Sequence, residues 1–281
     1  MLATIWSSSF MFIKVAVQTI TPVTLSFGRV ALAAIVLTIY SFVRGDALPR
    51  DRRTWMAACV VALTGNALPF SLIHWGERFV DSSLTAILMG VMPVAVALMA
   101  HFAAESDPLT GRRALGIVIG LFGLVVLVGW DALGGLGTVT LAQIAIVSAA
   151  LSYAVTTIFV RRVTHLTGRP MAMATLICGA AILLPPAFAF EQPLSLSPDW
   201  ASLGSLLMLG IFSTGIATLL YFRLVHTLGA TTFSQVNYLI PILGVGWGAL
   251  VLDEQPGVKE AVALGLILTG IALVNQPGKR A

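Results

Sequence analysis

The stretch "ATTFSQVNYLIPILGVGWGALVLDEQP", residues 230–256, reads as an apolar helix that carries Gln235, Asn237 and Tyr238 near its start and Pro241 near its middle. It has a double earlier in the chain. Pro93 and Pro108 lie fifteen apart, as do Pro241 and Pro256, and the second pair follows the first by 148 residues. The segment "SSLTAILMGVMPVAVALMAHFAAESDP" (82–108) therefore aligns with the first one quoted. At nearly the same offset "WSSSFMFIK" (6–14) lies on "YAVTTIFVR" (153–161), pairing Trp6 with Tyr153, Phe12 with Phe159 and Lys14 with Arg161. The chain reads as a duplicated unit, a first copy over 1–132 and a second over 138–276.

The medium is set by composition. Of 281 residues, 58% are apolar and only 10% charged, against about 25% charged in ordinary soluble domains, and the mean hydropathy is +0.95. Runs such as "VALAAIVLTIYSFV" (30–43) contain no ionised side chain, and about 20 apolar residues suffice to cross a bilayer. Charge clusters and Pro/Gly punctuation divide the first half into spans at 3–19, 22–43, 54–75, 81–103 and 112–129. The second half divides at 140–162, 171–190, 200–226, 231–252 and 258–275. The fold predicted is an all-α polytopic membrane protein of ten transmembrane helices. The first span lacks a basic leader and a small-residue cleavage site, so it reads as a retained helix.

A pI near 9.4 points to nucleic acid in a soluble chain, but here the basic residues stand at span ends. One side collects Arg44, Arg50, Arg52, Arg53, Arg112, Arg113, Arg161, Arg162, Arg169, Arg223, Lys279 and Arg280, twelve in all, and the other only Arg78 and Lys259. That bias predicts both termini in the cytoplasm. Five helices per copy is an odd number, so the second copy enters from the opposite face. Inverted repeats of this kind suit alternating access, with substrate held near the midplane.

Both copies resemble EamA domains of the drug/metabolite transporter superfamily. The resemblance rests on "ERFVDSSLTAILMGVMPVAVALMAHFAAESDPLTGRRALGIVIGLFGLVVLVG" and "HTLGATTFSQVNYLIPILGVGWGALVLDEQPGVKEAVALGLILTGIALV". Each shows a small-residue helix start, a mid-helix proline, an acidic residue at the helix exit and a Gly-rich last helix. The resemblance implies a multi-pass exporter of small metabolites in a bacterial inner membrane, needing no cofactor. Within the superfamily the chain is similar to amino-acid exporters of the YddG type, which implies aromatic and other neutral amino acids as substrates. A monomer is the expectation, with other metabolites or cationic drugs as alternative cargo.

The candidate pathway residues come from the pattern. Pro241 withholds an N–H and frees the carbonyl of Asn237, and Pro93 does the same to that of Met89. Each kink either lines a pathway or is satisfied by a neighbouring helix. Asn66, Phe70 and His74 recur every four residues on the third span, and Thr214 and Thr218, with Tyr221 beside them, on the eighth. Trp6, Tyr153 and Tyr238 offer ring faces, and Gln235 and Asn237 add polarity. His74 is either a coupling group or a hydrogen-bonded structural residue, and Lys14 either couples or reaches back to the interface. All twelve carboxylates fall in or beside connections, so substrate is expected to run down its own gradient unless His74 couples it. No H-E-x-x-H, phosphate loop or acid–base pair at depth marks an enzyme, and no metal-ligand spacing occurs. A passive channel is the nearest rival. Cys59 and Cys178 read as small core residues without a disulfide.

Overall fold

A computed structural model describes residues 1–102, 110–129, 137–163, 168–220 and 236–275. The described residues form ten helices. In the first half these are α1 (Leu2–Ala16), α2 (Pro22–Val43), α3 (Arg52–Gly76), α4 (Ser82–Phe102) and α5 (Gly111–Val128). In the second they are α6 (Thr138–Arg162), α7 (Arg169–Glu191), α8 (Trp200–Leu220), α9 (Val236–Val251) and α10 (Val258–Asn275). Eight are long and apolar enough to cross a membrane, and α1 and α9 are shorter apolar helices.

Local chemistry sets the helix starts. Asp51 accepts hydrogen bonds from the Thr54 N–H and hydroxyl, Thr110 from the Arg113 N–H, and Asp199 from the Ser202 N–H. Proline occupies the first turn of α2 and α7, where its missing N–H would have no intrahelical partner anyway.

The helices are irregular where the sequence puts small and polar residues at depth. α3 widens into a π turn over Leu63–Ala67, and α8 does so over Met208–Ile216. α4 breaks at Gly90 and Val91, whose N–H groups bond three residues back to Ile87 and Leu88 just ahead of Pro93. α9 stays continuous through Pro241, which packs against that break; a Cβ on Gly90 would come within 3.2 Å of Pro241 Cγ.

Packing joins the halves of the chain. α1 packs on α8 and α9, and α6 on α3 and α4; α2 packs on α7 and α8, and α7 on α2 and α3. α4 packs on α9, and α5 on α10. The outer surface keeps Ile35, Ile39 and Phe42 of α2 and Val118 and Phe122 of α5 exposed, as a lipid-facing surface does. Cys178 is buried and Cys59 exposed, correcting the expectation that both are core; both are free thiols.

The closest seam is α5 against α10, where Gly116, Gly120 and Gly270 bring the backbones together. A Cβ on Gly270 would lie 2.7 Å from the Gly116 carbonyl oxygen and 2.8 Å from Gly120 Cα, whereas one on Gly265 would meet open space. Gly270→Val is therefore expected to cost about 1–3 kcal/mol through forced separation of the helices. Its unfolding midpoint in detergent should fall accordingly, while that of Gly265→Ala stays at the wild-type value.

Candidate functional site

A cavity of about 300 Å³ lies where α1, α2, α3, α4, α6, α8 and α9 converge. That volume is at the small end of ligand pockets, roughly 300–1,000 Å³, and suits one small metabolite. The irregular backbone described above builds it. The π turn of α3 contributes Gly65 and Asn66, that of α8 contributes Ser213 and Thr214, and the break in α4 contributes Met89, Gly90 and Pro93. Ile240 and Pro241 of α9 face that break. Aromatic walls come from Trp6 and Phe10 of α1, Phe70 of α3 and Tyr153 of α6, and Thr218 extends the polar wall of α8.

Nine of the residues singled out from sequence thus meet in one place: Trp6, Asn66, Phe70, Met89, Pro93, Tyr153, Thr214, Thr218 and Pro241. Others do not line it. His74 stacks beside Phe70 with ring centroids 6.1 Å apart, but it is fully buried, and its Nδ1 lies 2.8 Å from Ser26 Oγ and 3.3 Å from the Pro22 carbonyl oxygen. Of the two roles left open for it, these bonds match the structural one. Lys14 Nζ donates to the carbonyls of Glu77 (3.1 Å) and Val80 (2.6 Å) beyond the end of α3, and lies 3.7 Å from Asp81. It holds the acceptor-rich end of a helix. Tyr238 turns away from the cavity and donates its hydroxyl to the Ile271 carbonyl of α10 at 3.0 Å. Tyr221, Gln235 and the Asn237 side chain lie outside the described residues.

Arg29 sits inside the second span and belongs to neither tally of basic residues given above. It lines the cavity at 6% exposure, donates from Nε to Thr214 Oγ1 at 2.8 Å, and lays its guanidinium 4.0 Å over the Phe70 ring. Thr214 passes the contact on by donating to the Leu209 carbonyl at 3.0 Å. A lone basic residue deep in an apolar run was the signal available. Glu77, one turn past His74, is fully buried with neither carboxylate oxygen partnered among the described residues.

The end of the bundle beyond Glu77, opposite the arginine-rich connections, is held by two carboxylates from the second half. Glu254, past the end of α9, accepts hydrogen bonds from the N–H and hydroxyl of both Ser82 and Ser83 at the start of α4. Glu191, at the end of α7, accepts from the N–H groups of Val23 (3.0 Å) and Thr24 (2.7 Å) at the start of α2. Each satisfies donors that the helix cannot pair internally, at the positive end of its dipole. At the other end of the same α2–α7 pair, Arg169 Nε meets Asp46 at 2.9 Å.

With this geometry in place, the comparisons with known proteins agree. The sequence matches the EamA-like transporter family twice, over residues 1–129 and 140–276. The chain belongs to that family and is a multi-pass membrane transporter, not an enzyme. It is 26% identical over 268 residues to YoaV of Bacillus subtilis, an uncharacterized transporter, covering 95% of this chain and 91% of that one. It is 25% identical over 279 residues to YedA of Escherichia coli K12, an uncharacterized inner membrane transporter, covering 96% and 87%. A crystal structure 19% identical shares the fold with a TM-score of 0.68, covering 97% of this chain and 93% of that one.

The Glu254 latch has a definite pH signature. Burial pushes its carboxyl up, but the bonds from Ser83 and Ser82 pull it down further, leaving it below the usual glutamate range. A lowered carboxyl stabilises the fold fully above its unfolded pKa and loses that contribution as pH falls through the lowered one. The stability gap between wild type and Glu254→Gln, read as unfolding midpoint in detergent across a pH series, should be widest at neutral pH and close in acid. A gap independent of pH would contradict the latch.

Proposed function

We propose that the protein is an alternating-access carrier that exports small neutral metabolites, aromatic and other neutral amino acids foremost, across a bacterial inner membrane, as a monomer and by facilitated transport. The observation that carries this reading is the single-metabolite cavity, walled by Trp6, Phe10, Phe70 and Tyr153 and set at the irregular turns of α3, α4 and α8. Aromatic faces accept planar apolar side chains, while Asn66, Ser213 and Thr218 offer neutral hydrogen-bonding groups. No carboxylate lines the cavity among the described residues, which supports facilitated movement.

A duplicated five-helix unit in inverted orientation is the reading that favours a carrier over a passive channel. Exchanging α1–α5 for α6–α10 turns each helix pairing named above into another named there, and the family match itself falls once on each half. Two such halves can rock about a central site. The positive-inside bias supports a cytoplasmic setting for the arginine-rich connections, and with it an outer face at which Glu191 and Glu254 hold helix starts.

In proteoliposomes preloaded with unlabelled phenylalanine, labelled phenylalanine should accumulate transiently by counterflow, with saturable kinetics. Phe70→Ala and Tyr153→Ala should each weaken it by about tenfold, the equivalent of one lost aromatic contact of about 1.4 kcal/mol. Threonine, methionine, nucleosides and cationic drugs serve as competitors. Unitary currents without counterflow would establish a channel instead.

A further inference from the structure

Among the described residues Arg29 is the only ionised side chain that lines the cavity. Three observations say how its donors are used. The face of the guanidinium lies on Phe70, the Nε edge is bonded to Thr214, and no hydrogen bond or ion pair engages the two terminal nitrogens. Those nitrogens are not among the buried atoms left without a partner, so their edge borders the open cavity. Glu77 and Tyr153 are near enough to act on Arg29 through space, but neither reaches ion-pair or hydrogen-bond distance. The cation is thus held rigidly on two sides and left open on the third.

A guanidinium buried in a low-dielectric site is costly until an anion pairs with it, and its planar fork of N–H donors matches the two oxygens of a carboxylate. We propose that the open edge of Arg29 binds the carboxylate of the substrate. The transported class is then small monocarboxylates with an apolar or aromatic body, amino acids included, and excludes amines and cationic drugs. This rests on the reading of the cavity as the substrate site. A single cation offsets one negative charge, which disfavours phosphorylated metabolites and dicarboxylates. The apolar body fits against the rings of Trp6 and Phe10. An α-ammonium group finds only neutral acceptors, the Tyr153 hydroxyl and the Asn66 amide among them, so it contributes less than the carboxylate.

The test separates the two ends of the ligand. Phenylalanine, phenylpyruvate, phenethylamine and phenylalaninamide are titrated into detergent-purified protein, with the unfolding midpoint and tryptophan fluorescence as readouts, and are also used as competitors in counterflow. The expected result is binding of the first two, with the amine and amide at least about tenfold weaker. Arg29→Gln should abolish that preference and Arg29→Lys keep part of it. Phenethylamine binding as tightly as phenylpyruvate, or no binding by any of the four, would overturn the anchor. Because the wild-type ligand series decides alone, a variant that fails to fold leaves the result readable. Binding without counterflow would instead refute the carrier reading while the anchor stands.

Discussion

A main-chain N–H or C=O left unpaired in hydrocarbon costs several kcal/mol, and the helix is the usual remedy because it pairs these groups internally. This bundle departs from the regular helix at a few places, and at several of them freed groups find partners among the described residues. The start of α4 has its N–H groups paired by Glu254, and that of α2 by Glu191. The π turn of α3 has its Thr64 carbonyl taken by Ser152 of α6 at 2.6 Å, while Thr214 caps Leu209 within the π turn of α8. The cavity exists because these substitutions are available. A wider turn draws side chains apart without exposing an unpaired backbone, and the space left over is what α1, α4 and α9 enclose.

The same rule explains how aromatic and charged groups share so small a space. Arg29 is tolerated at depth because Thr214 and the Phe70 ring together replace part of its hydration. Phe70 is in turn backed by His74, which Ser26 and the Pro22 carbonyl hold from behind. The histidine therefore stiffens the ring that positions the arginine. It is a support for the wall and has no contact with the space inside.

Much of this architecture was legible in the sequence, for physical reasons that can be named. Helix number and ends follow from apolar runs bounded by charges, and the predicted 22–43 and 258–275 coincide with α2 and α10. The cavity stripe of Asn66 and Phe70 followed from i, i+4 spacing, which places side chains on one face without outside information. What was not legible depends on partners remote in sequence. Thr214 lies 185 residues from Arg29, Ser82 lies 172 from Glu254, and Thr24 lies 167 from Glu191. Periodicity likewise put His74 on a polar stripe, and Tyr238 stood out as a ring face, but which neighbour such a group meets is decided by rotation of its helix within the bundle. The Tyr238 hydroxyl found a carbonyl on α10.

The contacts at the helix ends also differ in what they allow to move. α2 and α7 hold each other reciprocally: Glu191 at the end of α7 takes the start of α2, and Asp46 beyond the end of α2 takes Arg169 at the start of α7. A pair fixed at both ends resists tilting of one member against the other. α4 and α9 are different, since α4 is broken at Gly90 and Val91, α9 carries Pro241 against that break, and Glu254 fastens the pair at one end. Bending at the break changes the angle between the two halves of α4 with little loss of internal hydrogen bonding, because the groups released there are already bonded three residues back. Among the described contacts the α4–α9 seam is thus less fully fastened than the α2–α7 pair, and it adjoins the cavity through Met89, Pro93 and Ile240. A ligand seated against those residues would rest on the break itself.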